Sequence, residues 1–507
     1  MNYVSTRNRN IALTASQAIS QGLARDGGLL TPEVLPKLTP EMLEDLRGKS
    51  YSQRAVAVMK LFLEDFSEEE LTAYTQAGYG AGKFDDPQVA PLHPLNDKTA
   101  CLELWHGPTS AFKDMALQIL PHLLSASLVK TQEDKTVCIL VATSGDTGKA
   151  ALEGFKGVDG VSIGVLFPDG GVSDIQRKQM VTTTGDNVQV WAVRGNFDDC
   201  QTGVKHAFAD EKFAEKLLDE YRITLSSANS INWGRLLPQV VYYISSYAEL
   251  VAAGKIEAGC PIDVCVPTGN FGNILAAWYA KQIGVPIERL LCASNDNRVL
   301  TDFINTGTYD ISDREFILTS SPSMDILVSS NLERQLFELT GRNGEAIRQW
   351  MADLADARCF RVDAETFRRV RENFSADSVD NATCLATIRE VLDAHDYLLD
   401  PHTAVAYAAA QNLRGENPVL IASTAHWAKF GNNVYRAIHG IEPSGELPAD
   451  VAALTGCELN KLIAEETDKH HIPAGLANLD TMQVRFTEVI DNDVEAIEDA
   501  AEAFLTR

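Results

Sequence analysis

The chain runs to 507 residues, too long for one hydrophobic core, and at about 150 residues per domain it predicts about three domains. Its 44 basic and 70 acidic residues leave a formal charge of −26, which argues against nucleic-acid and anionic-membrane partners because both need a basic face. A small anionic substrate stays open, since a pocket needs only a few local donors.

Nine cysteines are scattered, mostly in apolar runs such as Val137-Cys138-Ile139, and no pair has CxxC spacing. That pattern suits buried thiols in a reducing compartment. The histidines show no metal-ligand spacing; His470 and His471 are adjacent and point to different faces of either kind of element, so no metal site is expected. Met1–Arg7 has no apolar signal region and no apolar run approaches membrane-spanning length, so the expected location is the cytoplasm.

Residues 1–95 read as helical and polar-faced. A helix over Gln17–Leu23 ends at the turn Asp26-Gly27-Gly28, Thr39-Pro40-Glu41 opens another, and Gln53–Phe62 is a third. Ser67 caps a fourth, with Glu68, Glu69 and Glu70 in its first turn. Gly78-Tyr79-Gly80-Ala81-Gly82-Lys83 lacks phosphate-loop spacing and a preceding strand, and is read as a linker.

From about residue 100 the pattern becomes strand, loop, helix. Thr136–Ala142, Val161–Phe167 and Val188–Val193 read as buried-strand runs, followed by helices over Lys149–Phe155, Ser173–Met180 and Cys200–Leu218. Ile223–Ser226 then precedes the helix Leu236–Leu250. Further strands are predicted at Ile262–Val266, Leu290–Ala293 and Val419–Ser423, with a helix over Ile274–Ile283. Such repetition predicts an α/β fold with open, mostly parallel sheets covered by helices. Residues 300–395 read as a helical, charged insertion, and the chain closes in an acidic amphipathic helix, Asp493–Phe504. The expected division is a helical region over 1–95, one α/β unit over 96–235 and a second over 236–507.

In open α/β sheets ligands bind beyond the carboxyl ends of the strands. Three polar loops fall there: residues 143–148, residues 267–273 and Ser423-Thr424-Ala425-His426. The first two lead directly into helices, whose free N–H groups and dipoles suit anions. Neither matches a Walker or dinucleotide motif, and Ser144 is not in a G-x-S-x-G elbow.

The remaining stretch is His106–Asp114. Lys113 stands between Phe112 and Asp114 and is followed by the amphipathic segment Met115–Leu124. Alone it reads as a surface lysine with its stem along Phe112. Beside three ligand loops it becomes a candidate Schiff-base lysine, because burial lowers an ammonium pKa and only the neutral amine attacks an aldehyde.

Taken together, these stretches resemble pyridoxal-phosphate enzymes of the tryptophan-synthase-β structural class, and among them the threonine synthases of long bacterial and fungal form. The resemblance spans nearly the whole chain: Tyr3–Arg7, Asp26–Leu29, His106–Asp114, Ser144–Gly148, Ala228–Asn232, Gly269–Asn273, Ser321–Asp325 and Ser423–Phe430. The lysine motif is shared with serine/threonine dehydratases; the N-terminal block and Ser321-Pro322-Ser323-Met324-Asp325 favour the threonine synthases. Two departures stand out. Asn8-Arg9-Asn10 follows Arg7 where the family has Gly, and Trp427 stands where it has Pro, which bears on the shape of the pocket.

The resemblance implies pyridoxal 5′-phosphate as cofactor, with Lys113 holding its aldehyde and then shuttling protons. It implies Gly269, Asn270, Phe271, Gly272 and Asn273 around the cofactor phosphate, and Thr424 at the pyridine nitrogen. Ser144, Gly145, Asp146 and Thr147 would bind the substrate carboxylate. Asn229, Ser230 and Arg235 are the candidates for the substrate phosphate, Arg because its fork matches phosphate oxygens. The implied reaction turns O-phospho-L-homoserine and water into L-threonine and phosphate, in a monomer or homodimer. The alternatives are a dehydratase or phospholyase of the same class, and a non-catalytic cofactor-binding protein.

Overall fold

The computed structural model describes residues 1–132, 135–468 and 470–506. Two sheets organise them. The smaller is wholly parallel, its strands lying in the order Val489–Ile490, Val188–Val193, Val161–Pro168, Thr136–Ala142 and Ile223–Ser226. Its alternate residues face different cores: Val137, Ile139 and Val141 join one buried cluster, whereas Cys138 and Leu140 join another. Both faces are dry because helices cover both, as an all-parallel sheet requires. Ala150, Leu152 and Phe155 of the helix Asp146–Phe155 close the first face. Cys200 and Val204 close the second, with Ile497 and Phe504 of the C-terminal helix Val494–Leu505.

The larger sheet has the order Phe374–Ser378, Ile287–Ser294, Ile262–Pro267, Val419–Ser423, Thr99–Glu103 and Leu92–Asn96, parallel except for the last pair. The same alternation holds: Val264 and Val266 face the first core, and Cys265 faces another with Ile421 and the helix Pro401–Leu413. The expected fold class therefore stands, and the predicted strands of both sheets are present.

Several features differ from the sequence reading. The hairpin Leu92–Asn96 and Thr99–Glu103 belongs to the large sheet, where Thr99–Glu103 pairs with Val419–Ser423, and the tail strand Val489–Ile490 belongs to the small one. Cuts at residues 96 and 236 therefore do not follow the sheets. Residues 300–395 are mostly helical, yet Phe374–Ser378 extends the large sheet parallel to Ile287–Ser294, and Thr308–Asp310 pairs with Cys359–Arg361. The helix expected over Cys200–Leu218 is two, Phe197–Ala209 and Glu211–Tyr221. Asp210 divides them, its carboxylate accepting from the N–H groups of Lys212 and Phe213, which a helix-interior residue could not do. Met115–Leu124 is likewise split into Asp114–Leu117 and Leu120–Lys130, with Pro121 in the first turn of the second.

The N-terminal region carries the expected helices, Ala15–Gln21, Pro40–Leu46, Tyr51–Phe62 and Glu68–Tyr79, each with a Ser or Thr cap. It also holds a small antiparallel sheet in which Tyr3–Ser5 lies between Ala12–Leu13 and Leu30–Pro32. This sheet is tied to the helix Leu332–Leu339: Glu333 accepts from the Thr6 hydroxyl (2.6 Å) and pairs with Arg7 (2.8 Å). Arg334, fully buried, donates to the carbonyls of Leu30 and Ile231.

One close approach fixes the helix that follows Lys113. Gly154 lies directly on the Leu117 carbonyl, and a Cβ there would stand 1.9 Å from that oxygen. Backbone would have to move, and overpacking of this kind costs about 1–3 kcal/mol. Gly154→Ala should therefore lower the urea midpoint by an amount equivalent to roughly that loss, whereas Gly157→Ala, with no atom within 4 Å of its Cβ but a φ of +70°, should show only the smaller backbone cost of about 1 kcal/mol.

Candidate active site

The loop before Lys113 is built by its own acid. Asp114 turns back so that its carboxylate accepts from the Thr109 N–H (2.8 Å) and hydroxyl (2.7 Å). The turn needs glycine at 107, where a Cβ would fall 2.4 Å from that of Asp114. Burial pushes the Asp114 carboxyl up to about 6 against those two bonds. The loop is also fused to the end of the large sheet. Ala111 bridges Ala425, the Phe112 N–H donates to the Thr424 carbonyl (2.8 Å), and the His426 N–H donates to the Ser110 carbonyl (3.1 Å). Lys113 and Thr424 are thereby held in fixed register.

The Lys113 side chain is 10% exposed and reaches Asp146, whose Oδ2 lies 3.5 Å from its Nζ. It also donates to the Ser323 hydroxyl (3.3 Å), which donates in turn to Asp146 Oδ2 (3.0 Å). Lys429, with no exposed side-chain surface, takes the other oxygen of Asp146 (2.9 Å). Burial lowers the Lys113 amine to about 8; Asp146 opposes that shift, while Arg235 and Lys429 add to it. For Asp146, burial works upward, but Lys429 and Lys113 hold the carboxylate well below its ordinary range. A buried amine titrating near neutral pH suits both attack on an aldehyde and repeated proton transfer. Lys113 is thus not the surface lysine that its local sequence suggests.

A cavity of 2160 Å³ opens beside Lys113, and every candidate residue lines it except Gly145 and Asp146. At one wall the helix Gly272–Ile283 begins after Phe271, which adopts φ +62° and packs its ring on Phe374. Among the described residues, the N–H groups of Phe271, Gly272 and Asn273 meet no protein acceptor. The Asn273 amide oxygen accepts from Tyr242 (2.6 Å), while its buried Nδ2 has no partner. Free N–H groups at a helix start beside an orphaned amide donor fit a phosphate, since a buried donor left unmade is costly. Gly269 packs closely on the 321–325 segment: a Cβ there would lie 3.0 Å from the Ser323 carbonyl and push it back by a few tenths of an ångström.

Opposite, the helix Asp146–Phe155 presents the Ser144–Thr147 loop. Thr143 holds the turn by accepting from the N–H groups of Gly145 (3.0 Å) and Gly148 (2.9 Å), and Gly145 needs its φ of +127°. Ser144 and Thr147 face the cavity. Asp146 does not: its carboxylate is turned to Lys113, Lys429 and the Gln176 amide (3.0 Å). As a buried anion it would repel a carboxylate, so its side chain is unsuited to bind one directly. Thr424 is nearly buried at the cavity wall, and its hydroxyl has no partner among the described residues.

Arg235, in the first turn of the helix Trp233–Ala252, is buried, and among the described residues its guanidinium donates only to the Ala228 carbonyl (2.5 Å). No carboxylate pairs with it among the described residues, and burial lowers it to about 10. A buried guanidinium without a counter-ion is unstable alone and fits an incoming anion. Asn229 and Ser230 lie beside it on the cavity wall.

Sequence reading did not single out Ser323, His402, Gln176 or Lys429 as site residues. The Ser323 N–H donates to His402 Nε2 (3.1 Å), whose Nδ1 meets Asp400 (2.7 Å). Asp400 caps the helix Pro401–Leu413, but nothing local in the sequence says that His402 meets a segment about 80 residues away. Trp427 does not line the cavity; it is buried in the core behind the large sheet, so its bearing on pocket shape is indirect. No metal-binding cluster occurs among the described residues.

Three family descriptions match in succession: the threonine synthase N terminus over residues 2–79, the pyridoxal-phosphate dependent enzymes over 89–424 and the threonine synthase C-terminal region over 403–500. Threonine synthase-like 1 of Homo sapiens is 42% identical over 432 residues, which is 83% of this chain and 58% of that protein. The chain thus spans little more than half the length of that curated relative. Threonine synthase of Pseudomonas aeruginosa is 40% identical over 457 residues, 90% of this chain and 93% of its own. The crystal structure of pyridoxal-phosphate-bound threonine synthase from Brucella melitensis matches with a TM-score of 0.87 and 37% identity, covering 100% of both chains. On these matches, the chain belongs to the threonine synthase family of pyridoxal-phosphate-dependent enzymes.

Proposed function

We propose that this chain is itself a threonine synthase, converting O-phospho-L-homoserine and water into L-threonine and phosphate with pyridoxal phosphate as cofactor. The observation that carries the reading is that one cavity holds a buried lysine of lowered pKa, a helix start with free N–H groups, and a second, separate cationic site at Arg235. A dehydratase needs the first two features and not the third, because its substrate carries no phosphate.

Lys113 would bind the cofactor aldehyde, Gly269, Asn270, Phe271, Gly272 and Asn273 would hold its phosphate, and the Thr424 hydroxyl would meet the ring nitrogen. When bound, the cofactor supplies an electron sink that lets protons leave carbon. The chain's own groups do the rest. Ser144 and Thr147, with the free N–H groups of their loop and Gly145 shaping its turn, orient the substrate carboxylate. The Lys113 amine takes and returns protons at Cα and Cβ. Arg235, Asn229 and Ser230 hold the substrate phosphate and stabilise it as it leaves Cγ.

The reading extends to a small-molecule enzyme of the cytoplasm, monomeric or homodimeric, without a nucleic-acid partner. The acidic balance of the chain supports the last point, and no helix among the described residues is long and apolar enough to cross a membrane.

Purified chain loaded with cofactor and given O-phosphohomoserine should release threonine and phosphate in equal amounts. Release of an oxo acid would favour the dehydratase or phospholyase, and absence of turnover would favour a binding protein. Borohydride reduction followed by peptide mapping should place the cofactor on Lys113 and on no other lysine. Arg235→Ala removes charge-assisted bonds of about 1.5–3 kcal/mol. Turnover should fall roughly ten- to a hundredfold, inhibition by free phosphate should weaken in parallel, and the cofactor spectrum should stay intact. Thr424→Val deletes a hydrogen bond of about 0.5–1.5 kcal/mol, so cofactor affinity or turnover should drop by up to roughly tenfold.

A further inference from the structure

Lys429 is a cation with no exposed side-chain surface, and neither cofactor nor substrate chemistry as described above uses it. Its Nζ donates to the Thr109 carbonyl (2.8 Å) and pairs with Asp146 Oδ1 (2.9 Å). The other oxygen of the same carboxylate faces Lys113 (3.5 Å). Two buried lysines therefore share one buried carboxylate, at unequal distances, and Lys429 is the nearer.

The consequence follows from charge. A lone Asp146 would be a full counter-ion to Lys113 and would hold its ammonium form in this dry setting. The positive charge of Lys429, paired with the other oxygen at 2.9 Å, opposes part of that field and so disfavours the Lys113 ammonium. The other charged groups nearby do not offset this. Arg235, from the helix Trp233–Ala252, also disfavours the ammonium. Asp114 is engaged by Thr109 and stands within the field of Lys429. Ser323, between Lys113 and Asp146, is neutral, and His402 behind it faces Asp400.

We propose that Lys429 is a positioning residue for the reaction: by occupying Asp146, it keeps that carboxylate from trapping Lys113 as an ammonium ion. It also ties Asp146, at the end of the small sheet, to the Thr109 carbonyl of the lysine loop. The proposal rests on the reading of Lys113 as the cofactor-binding amine, but it is tested on the amine itself.

The test is competitive labelling of Lys113 in the full-length, cofactor-free chain across pH 6–11, read by peptide mass spectrometry, with the visible spectrum of the loaded chain titrated alongside. In the unaltered chain Lys113 should be half-labelled near pH 8. Lys429→Met leaves Asp146 to Lys113 alone, which favours the ammonium, so the half-point should rise by about one pH unit or more. Lys429→Arg keeps the cation and should restore it to within about half a unit of the unaltered chain. Asp146→Asn removes the counter-ion from both lysines, and the half-point should fall. A folded Lys429→Met chain that titrates like the unaltered one would overturn the proposal. If that variant does not fold, an unmoved half-point in Asp146→Asn would overturn it equally. Labelling that behaves as expected in a chain with no visible cofactor band would instead remove the cofactor assignment and leave the charge relation standing.

Discussion

The site depends on one buried carboxylate that cannot be left unpaired. Asp146 is 3% exposed at its side chain, and an isolated ion there would cost several kcal/mol. Its partners come from four distant segments: Lys113 from the loop before Asp114, Lys429 from the turn after the large sheet's Val419–Ser423 strand, Gln176 from the helix Asp174–Val181, and Ser323 from the turn Pro322–Met324. Asp146 itself opens the helix that leaves the small sheet. Satisfying this one ion therefore requires both sheets to be in place and their strand ends to face one another.

That meeting of strand ends explains the cavity. Each sheet is parallel where it reaches the site, so each delivers loops and helix starts at its carboxyl edge, and free N–H groups point inward from both sides. The large sheet contributes the 267–273 loop and Thr424; the small sheet contributes Ser144, Thr147 and, after Ile223–Ser226, the Asn229–Arg235 stretch. Three anion-friendly places result, which accords with the proposed reading of a phosphorylated cofactor and a substrate bearing both a carboxylate and a phosphate.

The N-terminal block holds this arrangement from outside. Thr6 and Arg7 grip Glu333, the neighbouring Arg334 binds the Leu30 and Ile231 carbonyls, and Asn331 donates to Ser230 (3.1 Å) and to the Asn270 carbonyl (3.2 Å). Residues near the start of the chain thereby brace the walls that carry Ser230 and Asn270. This gives a physical reason for the N-terminal motif to accompany the lysine motif along one sequence.

Much of this was determined by the sequence alone. Runs such as Thr136–Ala142, Val188–Val193 and Val419–Ser423 read as doubly buried strands, because they are short, nearly all apolar or small and rich in β-branched residues, and their observed bounds match. Gly-rich turns running straight into helices marked the candidate ligand loops, since local backbone chemistry sets where N–H groups are free. The tertiary structure decided what has no local signal. Phe374–Ser378 is half polar and becomes a strand only because Ile287–Ser294 offers it an edge. Asp146 reads as a donor-loop residue, yet its charge is spent on two lysines, one 33 positions away and the other 283 away. Burial and ion pairing are properties of neighbours in space, and a chain's order does not say which neighbours those are.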